Sequence, residues 1–207
     1  MTSALRIAVA DDEPEMRDFF EKVLPRFGHQ VVAVAENGAQ LVEHCRRVHP
    51  DLIITDIKMP ELDGIEACTQ ICQERAVPVI LVSAYHDPAL IERAEADHVQ
   101  AYLVKPIGIA DLPPAIAIAV RRFGELQALQ KDCKDLRQAL SDRKIIERAK
   151  GLLMKLASID EKEAFQRLQQ LASEKNQKLV DAAQSILAVE KALAPGAEKS
   201  GLRRDPA

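Results

Sequence analysis

The sequence predicts an α/β domain built on a doubly wound, five-stranded parallel sheet, followed by an all-helical segment. Up to about residue 107, short apolar runs alternate with amphipathic stretches, and no convincing strand follows residue 121. Four of the five apolar runs are nearly continuous, which is typical of strands buried on both faces. Charge divides at the same place, because residues 1–120 carry 10 Lys and Arg against 19 Asp and Glu, whereas residues 121–207 carry 18 against 13. An acidic half suits a cation and a basic half suits a polyanion.

The first half contains five strand–helix repeats. The predicted strands are residues 5–10, 30–35, 51–57, 77–83 and 99–104. The helical patterns lie at residues 14–26, 38–48, 64–75, 88–95 and 110–121. Such repeats favour right-handed crossovers, and ligands of these sheets bind beyond the carboxyl ends of the strands.

Composition excludes several classes of protein. Hydrophobic residues make up 47% and charged residues 29% of the chain, as in folded globular proteins. Because no apolar run approaches about 18 residues, we expect no membrane span. The amino terminus lacks a signal-peptide pattern and the four cysteines are unevenly spaced, which together predict reduced thiols in the cytoplasm.

Polar side chains follow four of the strands, where each strand ends. They are Asp11, Asp12 and Glu13 after the first strand, Asp56 after the third, Ser83 after the fourth and Lys105 after the fifth. A lone acid at a strand end usually caps the next helix. A whole set in one register instead predicts a shared crevice, where the carboxylates need a cation such as Mg²⁺. A carboxylate beside a metal, an ammonium and a hydroxyl can capture a phosphoryl group.

Four segments carry a resemblance to a known family. They are DDEP at 11–14, TDIKMPELDG at 55–64, VSAY at 82–85 and YLVKP at 102–106. Residues 4–121 resemble a two-component receiver domain, which implies the flavodoxin-like fold. The resemblance implies that Asp56 is the phosphoacceptor, that Asp11, Asp12 and Asp56 bind Mg²⁺ with the backbone carbonyl of Lys58, and that Lys105 pairs with the phosphoryl group.

The same resemblance implies a switch. Ser83 turns toward the phosphoryl group, and Tyr102 is the aromatic side chain that moves inward on activation. An alternative interpretation of Tyr102 is a half-buried edge residue. Pro106 is expected to follow a cis peptide bond.

A long helix is expected from about residue 110 to residue 156. Asp111 can cap its start, and Pro113 and Pro114 are tolerated in a first turn. Within the predicted spacer, residues 122–140, apolar side chains recur every three or four positions. They are Phe123, Leu126, Leu129, Cys133, Leu136 and Leu140, which we name the seam. The spacing predicts a dimeric coiled coil, and the alternative is packing within one chain.

Residues 141–193 predict three short helices, with breaks at residues 157–159 and near Asn176. Asp160 and Glu163 form a capping-box pattern. The first helix carries a basic face of Arg143, Lys144, Arg148, Lys150 and Lys155. Gly151 interrupts it at a cost of about 1 kcal/mol, which suggests the close approach of another helix or a ligand. The alternative is a solvated helix face.

The segment RKIIERAKGLLM, followed by EAFQRLQQLA and KLVDAAQSIL, resembles the ANTAR output domain of RNA-binding transcription antiterminators. The resemblance implies that Arg143, Lys144, Arg148, Lys150, Gly151 and Lys155 lie near RNA. Ala157-Ser158 stands where the family commonly has a glycine at the first turn. We expect a tail without defined structure at residues 194–207.

The combined expectation is a receiver domain at 1–121 and an RNA-binding domain at 141–193. A sensor histidine kinase would phosphorylate the cytoplasmic protein, which would dimerise and bind paired hairpins in transcript leaders. The alternatives are a DNA-binding response regulator and a regulator that acts only through protein contacts. No enzymatic activity is expected beyond slow loss of the aspartyl phosphate.

Overall fold

The structure, a computed structural model, describes residues 4–84 and 99–193, with side chains to residue 190. Its five strands are β1 (Arg6–Ala10), β2 (Gln30–Ala35), β3 (Leu52–Asp56), β4 (Val79–Ser83) and β5 (Val99–Val104). They form one parallel sheet in the order β2-β1-β3-β4-β5. The predicted doubly wound five-stranded sheet is confirmed.

The helices of the sheet domain are α1 (Pro14–Val23), α2 (Gly38–Val48), α3 (Gly64–Glu74) and the first part of α4 (Leu112–Ala157). The predicted helix at 88–95 lies outside the described residues. One apolar cluster packs α2 and α3 on one face of the sheet, and a second packs α1 and α4 on the other. Both faces of the central strands are therefore buried, as their continuous apolar runs predicted.

Two helix starts and ends differ from the sequence prediction. The helix expected to reach residue 26 ends at Val23, because Pro25 cannot continue it, and a 3-10 turn follows at Leu24–Phe27. The long helix begins at Leu112, after a 3-10 turn at Ile109–Asp111. Asp111 caps this short turn and not the long helix, because its carboxylate accepts a hydrogen bond from the Gly108 amide at 2.8 Å.

Three cysteines belong to the core of the sheet domain. Cys45, Cys68 and Cys72 are free and buried in the cluster under α2 and α3. Burial, with a smaller contribution from Cys72, raises the pKa of Cys45 to about 12. These thiols therefore pack as small apolar side chains.

The chain divides into two compact units, Met1–Leu129 and Gln130–Ala207, and α4 contributes residues to both. The predicted spacer at 122–140 crosses this division. Among the residues the structure describes, no helix combines the length and apolar character that a membrane span requires.

The second unit is helical. Beyond α4 it contains α5 (Glu161–Glu174) and α6 (Leu179–Leu193). Its core is the buried side chains of Ala149, Leu168 and Ala183. The predicted breaks are confirmed, because both Ser158 and Asn176 adopt left-handed backbone conformations, with φ of 51° and 49°. The predicted tail at 194–207 lies outside the described residues.

The start of α5 forms one half of the predicted capping box. The Asp160 carboxylate accepts a hydrogen bond from the Glu163 amide at 2.7 Å. The Glu163 side chain instead pairs with Arg167 at 2.9 Å, one turn further along the helix. The cap thus depends on Asp160 alone among these side chains.

Candidate functional site

Hydrogen bonds beyond the strand ends place the acidic side chains in register. The Asp11 amide donates to the Ala35 carbonyl at 3.2 Å, and the Lys105 amide donates to the Ser83 carbonyl at 2.8 Å. Because all strands are parallel, the residues that follow them meet at one edge of the sheet.

Lys105 and three carboxylates meet at this edge. The Lys105 Nζ lies 3.1 Å from Asp11 Oδ2, 2.8 Å from Glu13 Oε1 and 3.0 Å from Asp56 Oδ2. Asp12 adds a fourth carboxylate, and one oxygen from each of the four acids lies within 4.8 Å of the others. We name these four acids with Lys105 the carboxylate cluster. It carries four negative charges and one positive charge.

The carboxylate cluster fits a divalent cation. Asp11 is completely buried, and its Oδ2 has the charge contact with Lys105 but accepts no geometric hydrogen bond from the described residues. A buried carboxylate oxygen with acceptor capacity left, beside three further carboxylates, suits a hard cation such as Mg²⁺. The donors are all oxygen atoms, which argues against zinc or copper.

Burial and charge pairing act in opposite directions here. Burial raises the pKa of Asp11, while the hydrogen bond from the Glu13 amide and the contact with Lys105 partly oppose it. Burial lowers the pKa of Lys105, but hydrogen bonds to Glu13, Asp56 and Asp11 outweigh it and hold the pKa above its usual range. Lys105 is therefore a permanent cation at neutral pH.

Asp56 is held in place by its neighbours along the chain. Its Oδ1 accepts a hydrogen bond from the Ile57 amide at 2.6 Å, which leaves Oδ2 facing Lys105. Gly64 packs directly against it, because a Cβ at residue 64 would lie 1.9 Å from the Asp56 carbonyl oxygen. The motif at 55–64 ends in this glycine, but sequence reasoning did not single out its packing role.

Sequence reasoning also missed Arg17. Its guanidinium donates to the backbone carbonyls of Asp11 at 2.8 Å and Asp12 at 2.9 Å. Arg17 therefore fixes the turn that carries both acids. The signal in the sequence was an arginine one turn into α1, at the distance from this turn that a long side chain spans.

The other residues predicted for this site lie on β4, on β5 and in the loop after β3. Ser83 is the last residue of β4 and is half-buried, and Tyr102 lies on β5 with 36% of its surface exposed. Lys58 is exposed in the segment between Asp56 and α3. The peptide bond between Lys105 and Pro106 is cis, as expected.

In the second unit, three cations and Gly151 form a stripe on α4. Lys144, Arg148, Gly151 and Lys155 recur at spacings of four, three and four residues, which puts them on one helix face. The three cations are exposed, and the structure gives none of them an ion pair with another described residue. We name these four residues the basic stripe. Arg143 is exposed nearby.

Gly151 faces open space in this unit. A Cβ at residue 151 would have no atom within 4 Å, so no helix of the second unit approaches it closely. Of the explanations that the sequence suggested for this glycine, close packing by another helix of this unit is excluded, which leaves the approach of a ligand or a solvated helix face.

Lys150 has different surroundings from the cations of the basic stripe. Sequence analysis grouped it with the RNA-facing cations, but only 10% of its side chain is exposed. Its ammonium pairs with Glu147 at 3.0 Å and Glu161 at 2.7 Å, and lies 5.8 Å from the centre of the Phe165 ring. Lys150 therefore contacts the first turn of α5 and is not part of the basic stripe.

The seam is exposed along the middle of α4. Leu129, Leu136 and Leu140 are 63%, 65% and 61% exposed, respectively. Cys133 is also exposed, Leu126 is 40% exposed and Phe123 is half-buried. An uncovered row of leucines on a helix is typical of an interaction face.

Two family models match the chain. The response regulator receiver domain matches residues 7–117, and the ANTAR domain matches residues 134–187. The transcriptional regulatory protein PdtaR of Mycobacterium tuberculosis is 38% identical over 182 residues, which cover 88% of this chain and 89% of that protein.

Two further comparisons concern the receiver half. The chemotaxis protein CheY of Bacillus subtilis is 39% identical over 104 residues, or 50% of this chain and 87% of CheY. The crystal structure of a response regulator receiver domain protein from Clostridium thermocellum matches with a TM-score of 0.54 and 27% identity. That match covers 58% of this chain and 98% of the other.

Proposed function

Because the chain belongs to the response regulators that join a receiver domain to an ANTAR domain, we propose that it is a phosphorylation-controlled, RNA-binding transcription antiterminator. The observation that supports the proposal is the presence of two different sites in one chain. The carboxylate cluster suits phosphoryl capture, and the basic stripe, whose cations form no ion pair with a described residue, suits a polyanion.

In the receiver domain, Asp56 is the nucleophile. One oxygen of its carboxylate attacks phosphorus as the bond to the donor's leaving group breaks, and a sensor histidine kinase is the donor. Lys105 neutralises a phosphoryl oxygen, and Ser83 donates a hydrogen bond to another. Asp11, Asp12 and Asp56 would hold Mg²⁺ with the Lys58 carbonyl, and the ion would neutralise further phosphoryl charge.

Phosphorylation changes the partners of Lys105. In the unphosphorylated structure its ammonium is shared by Asp11, Glu13 and Asp56. A phosphoryl group on Asp56 draws that ammonium toward new oxygens. Ser83, the last residue of β4, and Tyr102 on β5 then bias the domain toward its active conformation. Slow hydrolysis of the aspartyl phosphate resets it.

In the ANTAR domain, Lys144, Arg148 and Lys155 contact phosphates of hairpin RNA, and Arg143 adds charge beside them. Gly151 lets the RNA backbone approach α4 where a side chain would obstruct it. Specific recognition then concerns unpaired bases in the hairpin loops. Because it binds nascent transcripts, the protein acts in the cytoplasm.

The seam joins two copies when the receivers are phosphorylated, and two copies suit two hairpins. Leu126, Leu129, Cys133, Leu136 and Leu140 alternate at spacings of three and four, as a and d positions of a coiled coil do. Asp132 and Arg137 then occupy g and e positions, so a parallel dimer would pair the two across its helices.

Cys133 offers a direct test of the seam. It is the exposed cysteine among the four, and the other three are buried. We expect mild oxidation to yield a disulfide-linked dimer, and more of it with a phosphodonor. Leu136→Asp should abolish the cross-link, while Val189→Asp, outside the seam, should preserve it. Equal cross-linking in the two variants would contradict the seam.

The function is tested by binding of a tandem-hairpin leader RNA, with and without acetyl phosphate and Mg²⁺. We expect tight binding only with the phosphodonor, and its loss in Asp56→Ala. Asp18→Ala is the matched control, since Asp18 lies on α1 outside the carboxylate cluster and pairs with Lys22. Duplex DNA of equal length is measured at the same salt concentration.

Each other outcome contradicts a stated part of the proposal. Equal RNA binding in all samples would separate RNA binding from phosphorylation. Tighter binding to duplex DNA would favour a DNA-binding regulator. If neither nucleic acid binds while Asp56 is phosphorylated, regulation through protein contacts is the better account.

A further inference from the structure

Lys150 differs from every other cation of the basic helix face in its surroundings. Its ammonium is nearly withdrawn from solvent and contacts two carboxylates, whereas Lys144, Arg148 and Lys155 are exposed and without an ion pair among the described residues. The ammonium is thus in contact with two carboxylates, although Lys162 lines the same cavity as Lys150 and Glu161. A phosphate at this ammonium would compete with Glu147 and Glu161, and both would repel it.

The contact to Glu161 joins two helices. Glu161 is the first residue of α5, and Lys150 lies eleven residues earlier on α4. The pair thus spans the turn at residues 158–160, which contains Ser158 in a left-handed conformation without the glycine that best suits it. The Lys150 ammonium also lies over the ring of Phe165, one turn further along α5.

Resting on the proposed function, we propose that Lys150 is a positioning residue for RNA binding, which ties the start of α5 to α4 and contacts no phosphate. The basic stripe lies on α4, and RNA that covers it also reaches the neighbouring helix. The direction in which α5 leaves the turn therefore decides whether the rest of the domain fits the hairpin. Lys150 acts on affinity through this geometry and not through its charge.

Salt dependence separates the two roles. Each phosphate neutralised by a lysine or arginine adds about one unit to the slope of log affinity against log salt concentration. Hairpin RNA binding is measured with the full-length phosphorylated protein across salt concentrations, for the wild type, Lys150→Met and Lys155→Met. The two variants carry the same chemical change, one inside the domain and one on the basic stripe.

We expect Lys155→Met to lower the salt slope by about one unit. Lys150→Met should weaken binding severalfold with the slope unchanged, and circular dichroism should show a folded protein. Hydrogen exchange at the amides of Glu163–Leu168 should become faster. A drop in slope equal to that of Lys155→Met would overturn the proposal, and so would unchanged affinity, which would leave Lys150 a purely structural residue.

Glu161→Gln serves if Lys150→Met does not fold, because Glu161 is exposed. Loss of a negative charge alone would tighten RNA binding. We expect weaker binding, because a neutral amide holds the Lys150 ammonium less firmly than a carboxylate, and tighter binding would contradict the proposal. A wild-type protein that binds no hairpin RNA would instead refute the proposed function, and with it this role, which separates the two failures.

Discussion

Each of the two units contains one lysine whose ammonium contacts several carboxylates, but the two lysines have different roles. Lys105 faces Asp11, Glu13 and Asp56, of which Asp11 is fully buried, at the edge where the strands end. Lys150 faces Glu147 and Glu161, both of which are largely exposed. Buried carboxylates need a counter-charge, but any cation can supply it. Another cation can therefore replace Lys105 beside them, and the Lys105 ammonium can also contact a phosphoryl group. Exposed acids are already solvated, so the Lys150 pairs mainly fix geometry.

The two units also place their glycines differently. Gly64 is crowded against the Asp56 carbonyl, and Gly151 faces open space. The space beside Gly64 is filled by this chain itself, whereas the space beside Gly151 is open to a ligand. Single substitutions of these lysines and glycines test both differences.

The largest effect is expected for Lys105→Met. Loss of the ammonium leaves the buried carboxylates of Asp11 and Asp56 without a counter-charge, and we expect the free energy of unfolding to fall by about 3 kcal/mol. Mg²⁺ should restore much of it, because the cation binds the folded state. Urea unfolding with and without Mg²⁺ measures both. Lys150→Met is the matched control, since its exposed acids offer no such rescue.

Equal rescue of the two variants by Mg²⁺ would remove the distinction between the two lysines. Absence of rescue in Lys105→Met would show that the carboxylate cluster does not take up Mg²⁺ in the folded protein.

A smaller loss is expected for Gly64→Ala. The added Cβ would overlap the Asp56 carbonyl oxygen, so the backbone must shift, at a cost of about 2 kcal/mol. Phosphoryl incorporation from acetyl phosphate should fall with it, because Asp56 moves. Thermal unfolding and phosphate-affinity electrophoresis measure the two effects. Full incorporation in this variant would contradict the packing argument.

Gly151→Ala should have the opposite sign for stability. Because nothing lies near its Cβ, alanine should stabilise α4 by about 1 kcal/mol. RNA affinity should nevertheless fall, since the methyl group stands where the RNA backbone approaches. Gly124→Ala, also open and also on α4, is the control that should gain stability without loss of RNA affinity. Unchanged affinity in Gly151→Ala would move the RNA to another face.

The smallest effect is expected for Ser158→Gly. Gly28 holds a left-handed position in the first unit with φ of 82°, while the second unit uses Ser158 with φ of 51°. Glycine relieves the side-chain strain but costs chain entropy, which leaves a gain of about 0.5 kcal/mol. Urea unfolding measures it. A loss of stability would show that the serine side chain contributes to the turn.

The sheet domain followed from its sequence because its signals are local. The continuous apolar runs gave β1 to β5 within two residues at each end, and the acids at the strand ends met as parallel strands require. The deviations also have local causes. Pro25 ended α1 early, and Asp111 bonded backward to Gly108 and not forward into α4.

The roles that sequence reasoning missed depend on contacts between separate elements. Lys150 lies beside the basic stripe in sequence. Only the position of Glu161 on the next helix reveals that the Lys150 ammonium is in an ion pair. The role of Gly64 likewise needs the Asp56 carbonyl nearby. Helix periodicity reports which face a residue occupies but not what covers that face.

The short length of the seam affects how dimer formation would depend on the concentration of the protein. Its leucines and Cys133 span residues 126–140, about two heptads, and coiled coils this short associate weakly. The weak dimer proposed for the seam would form in proportion to the square of the monomer concentration. Doubling the amount of protein in the cell would then raise the dimer about fourfold by mass action. Gene expression and phosphorylation would thus multiply each other in setting the output.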